Sequence, residues 1–175
     1  MTRELREAFK YAKDRMKKGE LPATFLAYTD SGERIIMEIT LREPYRGLTL
    51  QMVTLFFAAH KVTRYIHMSE AWARFGFPVS LEIAPSKAPD RKEVLIAIDV
   101  AATEKHAELG FVHRNRAGKV VEIEKADIPD LQIAGAFTDL LPSDDERNIP
   151  VDREQAVQVF ERLGGRIVGV VKQSN

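Results

Sequence analysis

The side chains able to move a proton or hold a metal near neutral pH are concentrated around one stretch of the chain. His106 and Glu108 lie two residues apart in a run that alternates apolar with polar, so a strand there points both to one face. Asp99, inside the apolar run 93–102, is placed to face them from a neighbouring strand. An imidazole among carboxylates can ligate a divalent cation, or act as a base held in place by its acid. The plainer reading is that alternation sends Asp99 to solvent, where it needs no partner. His60 falls on a helical run, His67 at a strand start, and His113 on the strand of His106. No two histidines flank a glutamate at i, i+4 as in zinc peptidases. There is no G-x-S-x-G elbow, and Gly164-Gly165 ends a helix rather than opening one on a phosphate. No catalytic residue, metal ligand or cofactor is therefore assigned.

A second constellation joins Ser69-Glu70-Ala71-Trp72 to Pro85-Ser86-Lys87-Ala88-Pro89-Asp90-Arg91-Lys92-Glu93. Glu70 and Trp72 share a strand face, and Trp72 is the only tryptophan. Arginine pairs with a carboxylate through two parallel bonds, which lysine cannot do. The physical expectation is a Glu70–Arg91 ion pair shielded by Trp72, pinning the proline-rich loop to the sheet. The pattern S-E-A-W followed by P-S-x-x-P-D-R-x-E resembles one found in uncharacterised bacterial and phage proteins, over roughly the middle third of the chain. That resemblance implies no activity. The candidate ligand-binding set is Glu70, Trp72, Arg91, Glu93, Asp99 and His106.

The elements that must carry these residues are legible from period and turn chemistry. Leu5, Ala8, Phe9, Ala12 and Met16 recur at helical spacing behind Thr2 as cap, predicting an amphipathic helix over 1–19. Arg3, Arg6, Lys10, Lys13 and Lys17 form a basic stripe beside that face. A hairpin follows, 24–28 and 34–41, around Asp30-Ser31-Gly32-Glu33. The strongest helix signal is 48–63, with Leu48, Met52, Leu55, Phe56, Ala59 and Val62 on the core face. Leu50, Val53 and Phe57 lie outside that arc. A helix apolar on more than one side is covered on more than one side, so these three are the expected interface, met by the N-terminal helix or by another subunit.

Residues 65–72 either continue the helix or form a strand; the strand is preferred, since a short connection then returns the chain to the sheet, and it ends at Gly76-Phe77-Pro78, with 84–90 a loop. A meander follows over 93–102, 106–114 and 119–124, turning at Asn115-Arg116-Ala117-Gly118. The stretch 128–141 has apolar content without a period, and 142–150 reads as a polar loop. Asp152 with Gln155 marks the start of a helix, in the manner of a capping box, and 166–172 is a last strand. The expectation is a single α+β domain over 1–175, with one mostly antiparallel sheet and helices packed against it, in the order α-β-β-α-β-β-β-β-α-β. The order of its core portion is similar to that of roadblock or profilin-like domains.

Composition bounds the function. Twenty-six basic and 26 acidic residues cancel, which argues against nucleic acid as partner, since phosphate contacts need a basic excess. The charges are segregated: residues 1–19 hold seven basic and three acidic side chains, residues 122–154 three and ten. Such a molecule is disposed to associate with its own kind. The absence of cysteine suits a reducing compartment. The charged N-terminus lacks the apolar core of a signal peptide, and no apolar run is long enough for a span; the expected location is the cytoplasm. The leading functional expectation is a non-enzymatic interaction or regulatory module that forms a homo-oligomer, with an unidentified protein partner also open. The alternatives are an enzyme or small-ligand binder at Glu70, Arg91, Asp99 and His106, and a nucleic-acid binder using the basic N-terminal helix.

Overall fold

A computed structural model describes residues 2–19, 21–42, 44–74, 87–128 and 137–172. The element order is α1 (Arg3–Lys17), β1 (Ala23–Thr29), β2 (Glu33–Ile39), α2 (Arg46–Ala59), β3 (Val62–Ala73), β4 (Lys92–Ala101), β5 (Lys105–Arg114), β6 (Val120–Lys125), α3 (Asp144–Asn148), α4 (Arg153–Arg162) and β7 (Gly165–Lys172). The strands form one seven-stranded, mostly antiparallel sheet in the order β6-β5-β4-β3-β1-β2-β7. The α+β class and the predicted order hold, with the single turn α3 added inside the segment read as a polar loop. Gly76-Phe77-Pro78 and Ala84-Pro85-Ser86 lie outside the described residues. Among the described residues, no helix is long and apolar enough to cross a membrane.

The chain clusters into two compact units. One holds α1, β3 from Met68, β4 up to Ala97, β5 from Ala107, and β6. Here α1 starts where Thr2 accepts from the Leu5 amide at 3.2 Å, satisfying one of the orphan donors of the first turn. It buries the five apolar residues that its spacing announces, and it packs against β6. Gly110 is required at that contact, because a Cβ there would stand 2.7 Å from Ile123 and 3.1 Å from the Phe9 ring.

The other unit holds β1, β2, α2, β3 up to His67, β4 from Ile98, α3, α4 and β7. Its centre is aromatic. The Phe25 ring meets Phe57 edge-on at 5.9 Å, Tyr65 at 5.9 Å and His67 at 4.6 Å, and His67 stacks on Phe137 at 4.0 Å. Burying side chains of this size contributes roughly 1.5–3 kcal/mol each, so this cluster adds substantially to the unit's stability.

The phase of α2 differs from the expected one. Val53 and Phe57, expected at an interface, are wholly buried inside the unit, and Leu50 is half-buried. The second cover is α4, through Phe56 against Phe160 at 5.0 Å. Thr49 misleads the pattern: it is buried, with its hydroxyl donating to the Tyr45 carbonyl at 3.1 Å, so a polar residue sits on the core side. The arc rotates accordingly, and Leu48 is left outside.

The helix also ends earlier than expected. Lys61 takes φ +53° and reverses the chain into β3, so Val62 and Thr63 are strand. A residue with a Cβ is strained there, whereas glycine is not. Lys61→Gly is expected to stabilise the protein by up to about 1 kcal/mol, the left-handed cost relieved less the entropy that glycine adds to the unfolded chain, read as a rise in the urea midpoint at unchanged slope. An unchanged or lowered midpoint would refute the strain.

Candidate functional site

The two glutamates singled out in the sequence do meet. Glu70 on β3 and Glu93 on β4 converge on Arg114 of β5, whose Nε donates to Glu93 at 2.7 Å and whose Nη2 donates to Glu70 at 3.1 Å. Its Nη1 donates to the Gly118 carbonyl at 2.9 Å, tying in the β5–β6 turn. Burial, followed by the negative charge of Glu93, pushes the Glu70 carboxyl above its usual range, and Arg114 opposes this. The cation that reaches Glu70 is thus Arg114. Arg91, its expected partner, lies over the Trp72 ring at 4.5 Å. Just beyond the end of β3, Arg74 makes a two-bond pair with Asp90, before the start of β4, at 2.9 and 3.2 Å. Of the proline-rich segment and the residue after it, Asp90 is held by Arg74 and Arg91 by the Trp72 ring.

The remaining candidates have partners of their own. Asp99 is 3% exposed, contrary to the solvent-facing reading. Arg64 clamps it with two bonds, 2.7 and 2.6 Å, and the same guanidinium sits 4.9 Å over the Tyr28 ring. An apolar strand tolerates this carboxylate because its charge is matched on the next strand. His106 contacts Glu104 at 3.0 Å, whereas Glu108 takes Lys125 at 3.1 Å. The His106–Glu108–Asp99 triad of the sequence reading is therefore replaced by three separate pairs.

His67 is the polar group most changed by folding. It is completely buried among Phe25, Phe137 and the backbone of Thr24, and burial lowers its pKa to about 3. It is a neutral core residue. Tyr65 beside it donates to the Phe137 carbonyl at 2.6 Å and accepts from the Leu140 amide at 3.4 Å. These bonds fasten the chain before α3 to the core.

Two of the concavities among the described residues are walled by that segment and the one after it. One, of about 400 Å³, includes Lys105, Asp139, Asp144 and Arg147. Its charges are taken up in Lys105–Asp139 and Arg147–Asp144 pairs, so it presents little unspent polarity. The other is an apolar groove of about 250 Å³, walled by Thr54, Leu55 and Ala58 of α2 and by Pro142, Ile149 and Val151. Gln51 and Glu146 stand at it too. Sequence reasoning missed this groove because it missed α3. The signal was Ser143-Asp144-Asp145-Glu146: Glu146 accepts from the Ser143 amide at 2.8 Å and donates its own amide to the Ser143 hydroxyl at 3.3 Å. That reciprocal pair is a capping box, and it stands nine residues before the one expected at Asp152, which caps Gln155 through a single bond.

Exposed apolar side chains gather in the same unit. Tyr45 is 60% exposed, Leu48 42% and Ile149 55%. On the terminal strand β7, Val168, Val170 and Val171 are about half exposed. The edge of β7 is protected, however. Its register with β2 slips between Ile36 and Met37, so the strand is bulged, and its two charged residues are basic, Arg166 paired with Glu38 and Lys172 with Glu33. Bulges and cations are the devices that keep an edge strand from adding another.

Comparison with known protein families, characterised proteins and solved structures finds no match for this chain.

Proposed function

We propose that this protein is a non-enzymatic interaction module, resident in the cytoplasm, that acts as a homo-oligomer. The observation that carries the reading is the outer side of α2: two apolar residues exposed at its first turn, and an apolar groove along its last turns. A groove of about 250 Å³ is below the roughly 300–1,000 Å³ of sites for drug-sized ligands, and its size suits one or two protein side chains. The candidate polar residues support the same reading. Asp99 and Glu93 are spent on arginines of this chain, which leaves them serving the fold. A formal net charge of zero removes the long-range repulsion that keeps like molecules apart, and the lack of cysteine suits a reducing compartment.

The expected strength follows from size. Fourteen residues make α2 about 21 Å long, so a contact along it falls short of the roughly 1,200–2,000 Å² of tight complexes. Sedimentation velocity from low to several hundred micromolar is expected to show a reversible rise from monomer towards dimer mass. A constant monomer mass over that range would refute the function proposed.

A further inference from the structure

Resting on that reading, we infer that the partner of the α2 surface is the same surface of a second copy, the two helices running antiparallel about a two-fold axis. Leu48, Gln51 and Leu55 lie at i, i+3 and i+7 and form one stripe on the outer side of α2. The stripe has a projecting end and a hollow end. The projecting end is Tyr45 and Leu48, in the first turn and largely in solvent. The hollow end is the groove walled by Leu55, Ala58 and Ile149. The thirteen residues from Tyr45 to Ala58 separate the two by about 20 Å along the helix. An antiparallel pair centred near Gln51 brings Leu48 over the partner's Leu55, and Tyr45 over the partner's Ala58. Each copy then supplies one projection and receives one, which is the self-complementarity that a two-fold interface demands.

Charge points to the same occupant. The projecting end is electropositive. Arg46 is exposed there, and α2 begins with neither a side-chain cap nor an acidic residue in its first turn. Within that turn no side chain compensates its amide dipoles. The hollow end is electronegative, with Asp145 exposed on α3 and Glu146 at the groove itself. Between residues 139 and 154 there are six acidic side chains and two arginines. In the antiparallel arrangement, each uncapped, arginine-bearing helix start faces the acidic α3 of the other copy.

The β7 edge is the competing surface for a second copy, and its bulge and its two basic residues weigh against it.

Charge reversal tests the arrangement, with the dissociation constant read by sedimentation equilibrium. Arg46→Glu alone and Asp145→Lys alone should each weaken the dimer at least about tenfold, as expected for close charge pairs across an interface. The double variant should recover most of the loss. Both positions are exposed, so near-unchanged unfolding midpoints will show that the fold is retained. Leu48→Glu should abolish the dimer. If the wild-type protein dimerises and all these variants leave its dissociation constant unchanged, the α2 arrangement is wrong while self-association stands. If the wild-type protein is monomeric throughout, both the arrangement and the function proposed are wrong.

Discussion

Replacing Arg64 with alanine is expected to destabilise the protein by about 3–5 kcal/mol, the usual result of stranding one member of a buried ion pair. Asp99 is 3% exposed, and both its oxygens are held by the Arg64 fork. Without the guanidinium, the carboxylate loses the charge that matches it on the next strand. A lysine at 64 restores the charge without the two-bond geometry and should recover only part of the loss. The double variant Arg64→Met with Asp99→Leu should lie much closer to wild type than Arg64→Ala, because a buried pair contributes little beyond what apolar packing provides. Urea unfolding of the three variants checks this. An Arg64→Ala deficit under about 1 kcal/mol would mean that Asp99 finds water or another partner.

The second large effect is a dependence on pH. His67 titrates at about 3 in the folded protein, against 6.5 for an exposed imidazole. Below 6.5 the unfolded chain takes up a proton that the folded chain refuses. The stabilisation is therefore complete above pH 6.5 and is lost as the pH falls towards 3. The slope is about 1.4 kcal/mol per pH unit, or about 2 kcal/mol lost between pH 6.5 and 5. His60, also lowered by burial and by Arg153, adds in the same direction. Asp90 and Asp139 are held below the usual carboxylate range by Arg74 and Lys105, so they stay ionised through this window and do not contribute to its slope. His67→Phe keeps an aromatic ring between Phe25 and Phe137, and it should flatten the profile from pH 6.5 to 5 by most of that amount. An unaltered profile in the variant would show that His67 is protonated in the native state.

Where local chemistry decides, the sequence was readable. The α1 face was legible to the residue, because a single stripe buried on one side follows the 3.6 period without competition. The two hairpins were legible through their turns: Gly32 and Gly118 adopt φ of +81° and +78°, which glycine alone does freely. The phase of α2 was obscured because two covers, the sheet and α4, bury more than half its circumference, and the period then loses its contrast. Its end was hidden because Lys61 occupies a position where a glycine would have announced the stop. The site pairings depended on register between strands distant in sequence. Spacing put Glu70 and Glu93 on strands, but only the sheet order brings Arg114 from β5 to both. Asp99 was misread for the same reason: nothing local distinguishes a solvent-facing aspartate from one whose arginine lies 35 residues earlier. The capping box at Ser143 was open to inspection, and the surrounding acidic residues disguised it as solvent-exposed loop.

Since the chain has no cysteine, one can be introduced at a chosen point and read without background. Gln51→Cys places a thiol near the centre of the proposed helix pair, and Val170→Cys places one on the β7 edge. A bismaleimide spanning about 10 Å, the upper separation of packed helix axes, is added at the concentrations where the wild-type protein is dimeric. Covalent dimer from Gln51→Cys and little from Val170→Cys is the predicted result. Cross-linking at Val170 with none at Gln51 would place the junction on the edge strand and contradict the account of α2.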